Sequence, residues 1–237
     1  MPLHWSMRIS GLSCAAGLLC ACPNPNTYTV PRTLDPGTVQ WQVAPEFIGT
    51  SFDYRTTDAN GMSRKVNFNG ALPMVPSFGA RIGIADGFDL GAHLMNFDSL
   101  ELDGKIRLVK GGFDVALQPG LQGYYVSVNN ASLGVVYLHV PVLLGLNLSP
   151  RVSLVLSPGF VYAVVAGTAN NSGGVSGAST VSGPMARLGA GVDIRISKRF
   201  AIHPELTFMK GFGDDNLLLY VGGVGFNFGA MPDYSDL

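Results

Sequence analysis

Between Ser99 and Val109 the chain alternates without a slip. Leu100, Leu102, Ile106 and Leu108 share the even positions with Gly104, and Glu101, Asp103, Lys105 and Arg107 hold the odd ones. Successive side chains of a strand point to opposite faces, so this spacing makes one face apolar and the other charged. A helix would scatter both sets around its surface. The device recurs. Phe113, Val115, Leu117 and Leu121 oppose Asp114, Gln118 and Gln122. Leu188, Ala190, Val192, Ile194 and Ile196 oppose Arg187, Asp193 and Arg195, and Phe200, Ile202, Leu206 and Phe208 oppose His203, Glu205 and Thr207.

This patterning, punctuated by turn residues, predicts ten strands, at about 38–54, 72–84, 88–97, 99–109, 113–127, 131–148, 151–167, 184–196, 199–211 and 216–229. Most reach the roughly 9–11 residues that a tilted strand needs to cross a bilayer. The predicted fold is all-β, a single antiparallel up-and-down transmembrane barrel of about ten strands, with eight or twelve as alternatives. Alternate connections are short: Ala85-Asp86-Gly87, Lys110-Gly111-Gly112, Ser149-Pro150 and Ser197-Lys198. The other set holds the two long polar connections, 55–71 and 168–183. Two other architectures stay open. A periplasmic β-sandwich would need more charge on its outward face. A helical hairpin over 131–148 and 151–167 is opposed by Pro141, Pro158 and a valine-rich content.

Composition narrows the function. Charged residues are 13% of the chain, where a soluble domain carries about 25%. Disorder is excluded, because it needs low hydrophobicity and high net charge. With 15 basic and 16 acidic residues there is no electrostatic footprint for nucleic acid. The three cysteines, Cys14, Cys20 and Cys22, all lie near the start, which excludes a disulfide scaffold.

The N-terminus reads as an address. Arg8 precedes an apolar stretch from Ile9 to Ala21 that is too short for a spanning helix. Its end, Leu19-Cys20-Ala21-Cys22, resembles the lipobox of bacterial lipoproteins. The resemblance implies cleavage before Cys22 and lipidation of Cys22. A plain signal peptide is the alternative. Residues 1–21 are thus expected to be a lipoprotein-type signal peptide and 22–37 a proline-rich extended tether. Residues 38–229 are expected to form the barrel, and 230–237 a C-terminal tail.

Taken together, residues 38–229 resemble the small outer-membrane β-barrels of Gram-negative bacteria. One local echo is Tyr137-Leu138-His139-Val140-Pro141-Val142-Leu143-Leu144. Another is the final strand through Phe226 and Phe228, which resembles their C-terminal assembly signal, although nine further residues follow it here. The resemblance implies an outer-membrane location with both termini in the periplasm. It also implies outer-membrane lipid as the surroundings and the barrel assembly machinery as a partner during biogenesis. The partner of the outer loops is left open.

Within such a barrel, Arg81, Asp89, His93, Glu101, Asp103, Lys105, Arg107, Asp114, Arg187, Asp193, Arg195, His203 and Glu205 are the candidate lumen charge network. Glu46 and His139 are further inward candidates. Ten strands lie near the filled end of the size scale, so an open porin is disfavoured. Unpaired buried charge is costly, so the balanced signs predict a paired filling. No catalytic constellation stands out. His203 and Glu205 share a strand face and leave a membrane-embedded hydrolase as a remote alternative. No His, Cys and Asp cluster has metal spacing, and no cofactor motif is present. The glycines of Gly222-Gly223-Val224-Gly225 read as sites of close approach in a barrel strand or of relief of curvature. The expected role is structural, adhesive or surface contact. A narrow channel or small-ligand carrier is the alternative.

Overall fold

The computed structural model describes residues 24–57, 63–95, 97, 99–128, 131–170, 176–212 and 217–236. The strand segments are β1 (Val39–Ala44), β2 (Glu46–Thr57), β3 (Ser63–Pro73), β4 (Ser77–Ala85), β5 (Phe88–Met95), β6 (Ser99–Val109) and β7 (Phe113–Leu117). They continue with β8 (Gly120–Val128), β9 (Ala131–Ser149), β10 (Val152–Asn170), β11 (Ser176–Ser197), β12 (Phe200–Gly211) and β13 (Leu218–Gly229). Prolines interrupt three staves. Pro45 parts β1 from β2, Pro76 lies between β3 and β4, and Pro119 between β7 and β8. Proline has no N–H to give a ladder, so pairing breaks there while the chain continues in the same direction. Joined across these breaks, the segments are the ten staves of a closed antiparallel barrel.

Closure is made by β13, which pairs with β1 through Trp41↔Phe228 and with β2 through Tyr220↔Gly49. Ring closure leaves no edge to pair with another chain. It also removes the sandwich alternative, and β9 and β10 replace the helical hairpin. The faces follow the alternation. Leu100, Leu102, Ile106 and Leu108 of β6 are exposed on the outside, as are Leu188, Ile194 and Ile196 of β11 and Leu206 and Phe208 of β12. An exposed apolar band of this kind suits hydrocarbon, not water. Trp41 and Phe228 lie on the outside near the short turns, with Phe200 against Phe228 at 5.1 Å, while Tyr125 and Phe212 are exposed toward the opposite end.

Two expectations need revision. The long connections read over 55–71 and 168–183 are largely ladder. Pairing of β2 with β3 runs to Thr57↔Ser63, and that of β10 with β11 to Asn170↔Ser176. Backbone pairing needs no apolar side chain, so polar sequence does not end it. The second revision concerns the segment read as an extended tether over 22–37. Residues 24–34 are buried inside the barrel. The chain descends the interior toward the short turns and reverses at 35–37. There Gly37 takes a positive φ of 77° and donates to the Gly83 carbonyl before β1 begins. Cys22 and the signal segment lie outside the described residues.

Candidate functional site in the barrel interior

The inner faces of the strands carry charge because the outer faces spend the apolar positions. Arg81, Asp89, His93, Glu101, Asp103, Lys105, Asp114, Arg187, Asp193, Arg195, His203 and Glu205 all point inward and are buried, as are Glu46 and His139. Arg107 is different. It sits half-buried at the short-turn rim, 2.7 Å from the exposed Asp86.

Adjacent staves bring these groups together. Arg81 of β4 donates to Asp89 of β5 and to Asp103 of β6, each at 2.5 Å. Asp103 also accepts from Gln118 Nε2 at 3.0 Å and lies 3.5 Å from His93 Nε2. Lys105 Nζ is 3.4 Å from Asp89. Across the barrel, Arg195 donates to Asp193 at 2.8 Å. His203 lies between Asp193 at 3.4 Å and Glu205 at 3.9 Å, and His139 approaches Glu101 at 3.2 Å. The match is incomplete at mid-height. Nε and Nη1 of Arg187 and both ring nitrogens of His139 have no hydrogen-bond partner among the described residues.

The buried N-terminal segment completes this set, and sequence reasoning missed its part. The Asn24 N–H donates to Gln122 at 3.2 Å, and its side-chain amide donates to Glu46 at 2.6 Å. Thr27 and Tyr28 offer consecutive N–H groups to one Glu205 oxygen, at 3.0 and 2.6 Å. Lys105 donates to the carbonyls of Val30 and Arg32, and the Leu34 N–H donates to Asp89 at 3.1 Å. Arg32 Nε meets Asp114 at 2.7 Å.

Tyr28 has a φ of 46°, a conformation rare for a bulky residue, and the wall is cut to admit it. A Cβ on Gly223 would lie 2.2 Å from the Tyr28 hydroxyl, and one on Gly225 would lie 2.7 Å from the Tyr28 Cβ. The close approach expected of these glycines is therefore made by the N-terminal segment. Its ring stands edge-on to His203 with centroids 6.5 Å apart.

The two ends of the interior differ. Toward the long hairpins the wall turns apolar, with Tyr124, Val135, Tyr137, Val161, Met209 and Leu219 packed together. At the short-turn end the tail after β13 folds back across the opening. Tyr234 is buried against Val30 and Val155, with the Arg195 and Arg32 guanidinium groups 3.5 and 4.1 Å from its ring centroid. Arg32 also donates to Asp236 and to the Asp233 carbonyl. The Arg32 contact holds the Asp236 carboxyl below its ordinary range, and burial pushes the Tyr234 hydroxyl well above its own.

No family model matches the chain, and no curated protein matches its sequence. Solved structures do resemble it. The outer membrane protease OmpT from Escherichia coli superposes with a TM-score of 0.52 at 8% identity, over 83% of this chain and 98% of that one. The transport unit of the autotransporter AIDA-I from Escherichia coli gives 0.45 at 9% identity, over 92% and 97%. Ail, the attachment invasion locus protein of Yersinia pestis, gives 0.40 at 12%, over 81% and 99%. The fold is that of an outer-membrane-type β-barrel.

Proposed function

We propose that this chain is an outer-membrane barrel with a filled, non-conducting interior and a structural, adhesive or surface-contact role. The hairpins β2–β3 and β10–β11 present its outer surface. The single observation that carries this reading is the occupied lumen, where residues 24–34 satisfy wall charges that an open pore would leave to water. The short turns face the periplasm, as short turns do in bacterial barrels, and the C-terminal tail lies on that side. Cys22 is the lipidation site, and the barrel assembly machinery inserts the chain.

The protein is not an enzyme in this reading. His203 is the group best placed to act as a base, and it is fully buried beneath Tyr28 with Asp193 and Glu205 at its sides. Among the described residues, the segment covers it on the lumen side.

Cell fractionation with gels of unheated and boiled samples tests the location. The protein is expected in the outer-membrane fraction, with a mobility shift on boiling. Recovery as a soluble periplasmic protein with no shift overturns the reading. Mass spectrometry of the N-terminal peptide tests the lipid. An unmodified peptide that begins elsewhere than Cys22 removes that part.

A further inference from the structure

We propose that the barrel interior is a binding channel for a threaded polypeptide, which it grips by the main chain, and that residues 24–34 are its resident ligand. This rests on the filled lumen proposed above and names what the filling chemistry selects.

The wall's charged and amide groups reach peptide groups more often than side chains. Glu205 takes the N–H groups of Thr27 and Tyr28, Asp89 that of Leu34, and Gln122 that of Asn24. Arg187 gives to the Pro25 carbonyl at 2.7 Å, Asn227 to that of Tyr28 at 3.1 Å, and Lys105 to those of Val30 and Arg32. These wall groups come from β5, β6, β8, β11, β12 and β13, so they surround the segment instead of lining one side of it. Acids meet N–H groups and bases meet carbonyls. Any polypeptide offers that alternation of donors and acceptors, whatever its side chains.

The segment forms neither helix nor strand, so its peptide groups have no ladder of their own. Buried without partners they would be costly, and the wall supplies the partners. Side-chain recognition is confined to a few points, chiefly Arg32 with Asp114, Asn24 with Glu46 and the Tyr28 recess.

The test uses the full chain in planar bilayers. Thr27→Ala with Leu34→Ala keeps both N–H groups. Thr27→Pro with Leu34→Pro removes both. Each pair loses the Thr27 hydroxyl's contact with Glu205 alike, so the difference between them reports the N–H groups. A heat-dependent gel shift confirms that each barrel folds. The alanine variant is expected to stay closed like the unaltered chain. The proline variant is expected to open about a hundred- to ten-thousandfold more often, the change set by losing two hydrogen bonds to charged groups. Lys105→Met, which removes donors to two carbonyls without altering the segment, is expected to act in the same direction.

Adding a synthetic peptide of residues 24–34, or a proline-free peptide of equal length with unrelated small side chains, should close the proline variant again. Equal opening by the alanine and proline variants overturns main-chain recognition, as does reclosure by the native peptide alone or a proline variant that stays closed. Steady conduction by the unaltered chain would instead overturn the filled lumen. In that case, block of its current by the unrelated peptide still supports the channel's preference, and failure to block ends it.

Discussion

Arg32 Nε lies 2.7 Å from Asp114 Oδ2, and both side chains are buried. One comes from the threaded N-terminal segment and the other from the barrel wall, so this pair fastens ligand to channel at the short-turn end. Asn147 also donates to Asp114, and the Arg32 guanidinium reaches on to Gly111 and the tail. Removing Arg32 leaves the buried Asp114 carboxylate without a cation, held only by Asn147 and the Gly111 N–H. Arg32→Ala should therefore cost roughly 3–5 kcal/mol, the range for breaking a buried pair. The check is the denaturant midpoint of the heat-modifiable form in lipid.

Gly225→Leu should expel the segment without touching any charge. The added side chain would occupy the space of the Tyr28 Cβ, 2.7 Å away. Trypsin is the probe. Arg32 is buried in the native barrel and should resist cleavage, whereas the variant should be cut after Arg32 while its barrel still shifts on heating.

On the outer face, Leu102→Arg should cost about 2–4 kcal/mol if that position lies at the bilayer midplane. Leu102 is 56% exposed at the centre of β6, and its cross-strand neighbours Ala92 and Leu121 are apolar. Unfolding in liposomes measures it. The same substitution at exposed Phe97, beyond the end of β5, should cost far less, because the penalty falls to about 0–1 kcal/mol near the interface.

The tail should come free in acid. Asp236 is held below the ordinary carboxylate range by its hydrogen bond from Arg32. Its contribution is therefore complete above that ordinary range and is lost as pH falls through the lowered folded-state value. Tyr234 should then become accessible to carboxypeptidase or to iodination at strongly acidic pH and stay protected at neutral pH. Asp236→Asn should weaken that protection at neutral pH.

The strands were legible because alternation with a period of two is written directly into side chains. Strand β6 runs Ser99–Val109, as its pattern predicts, and the inward set on β12 follows from the same rule. The upper hairpins were less so. Residues 55–57, 63–71 and 176–183 pair through the backbone, and their polar, glycine-rich side chains leave no mark of it. The threaded segment was hidden for a related reason. Four prolines between Pro23 and Pro36 do forbid helix and ladder, but they do not forbid burial when wall side chains satisfy the peptide groups. Arg32 and the closely spaced Gly223 and Gly225 were the only local marks of it. The first was a lone charge in a polar stretch, and the second matched any tight place in a barrel.

A filled lumen is tested most directly by single-channel recording of the unaltered full chain in a planar bilayer. With residues 24–34 threaded and Tyr234 across the short-turn opening, the bilayer should stay electrically silent apart from brief, rare openings. Steady conductance at the level of a general porin would contradict it.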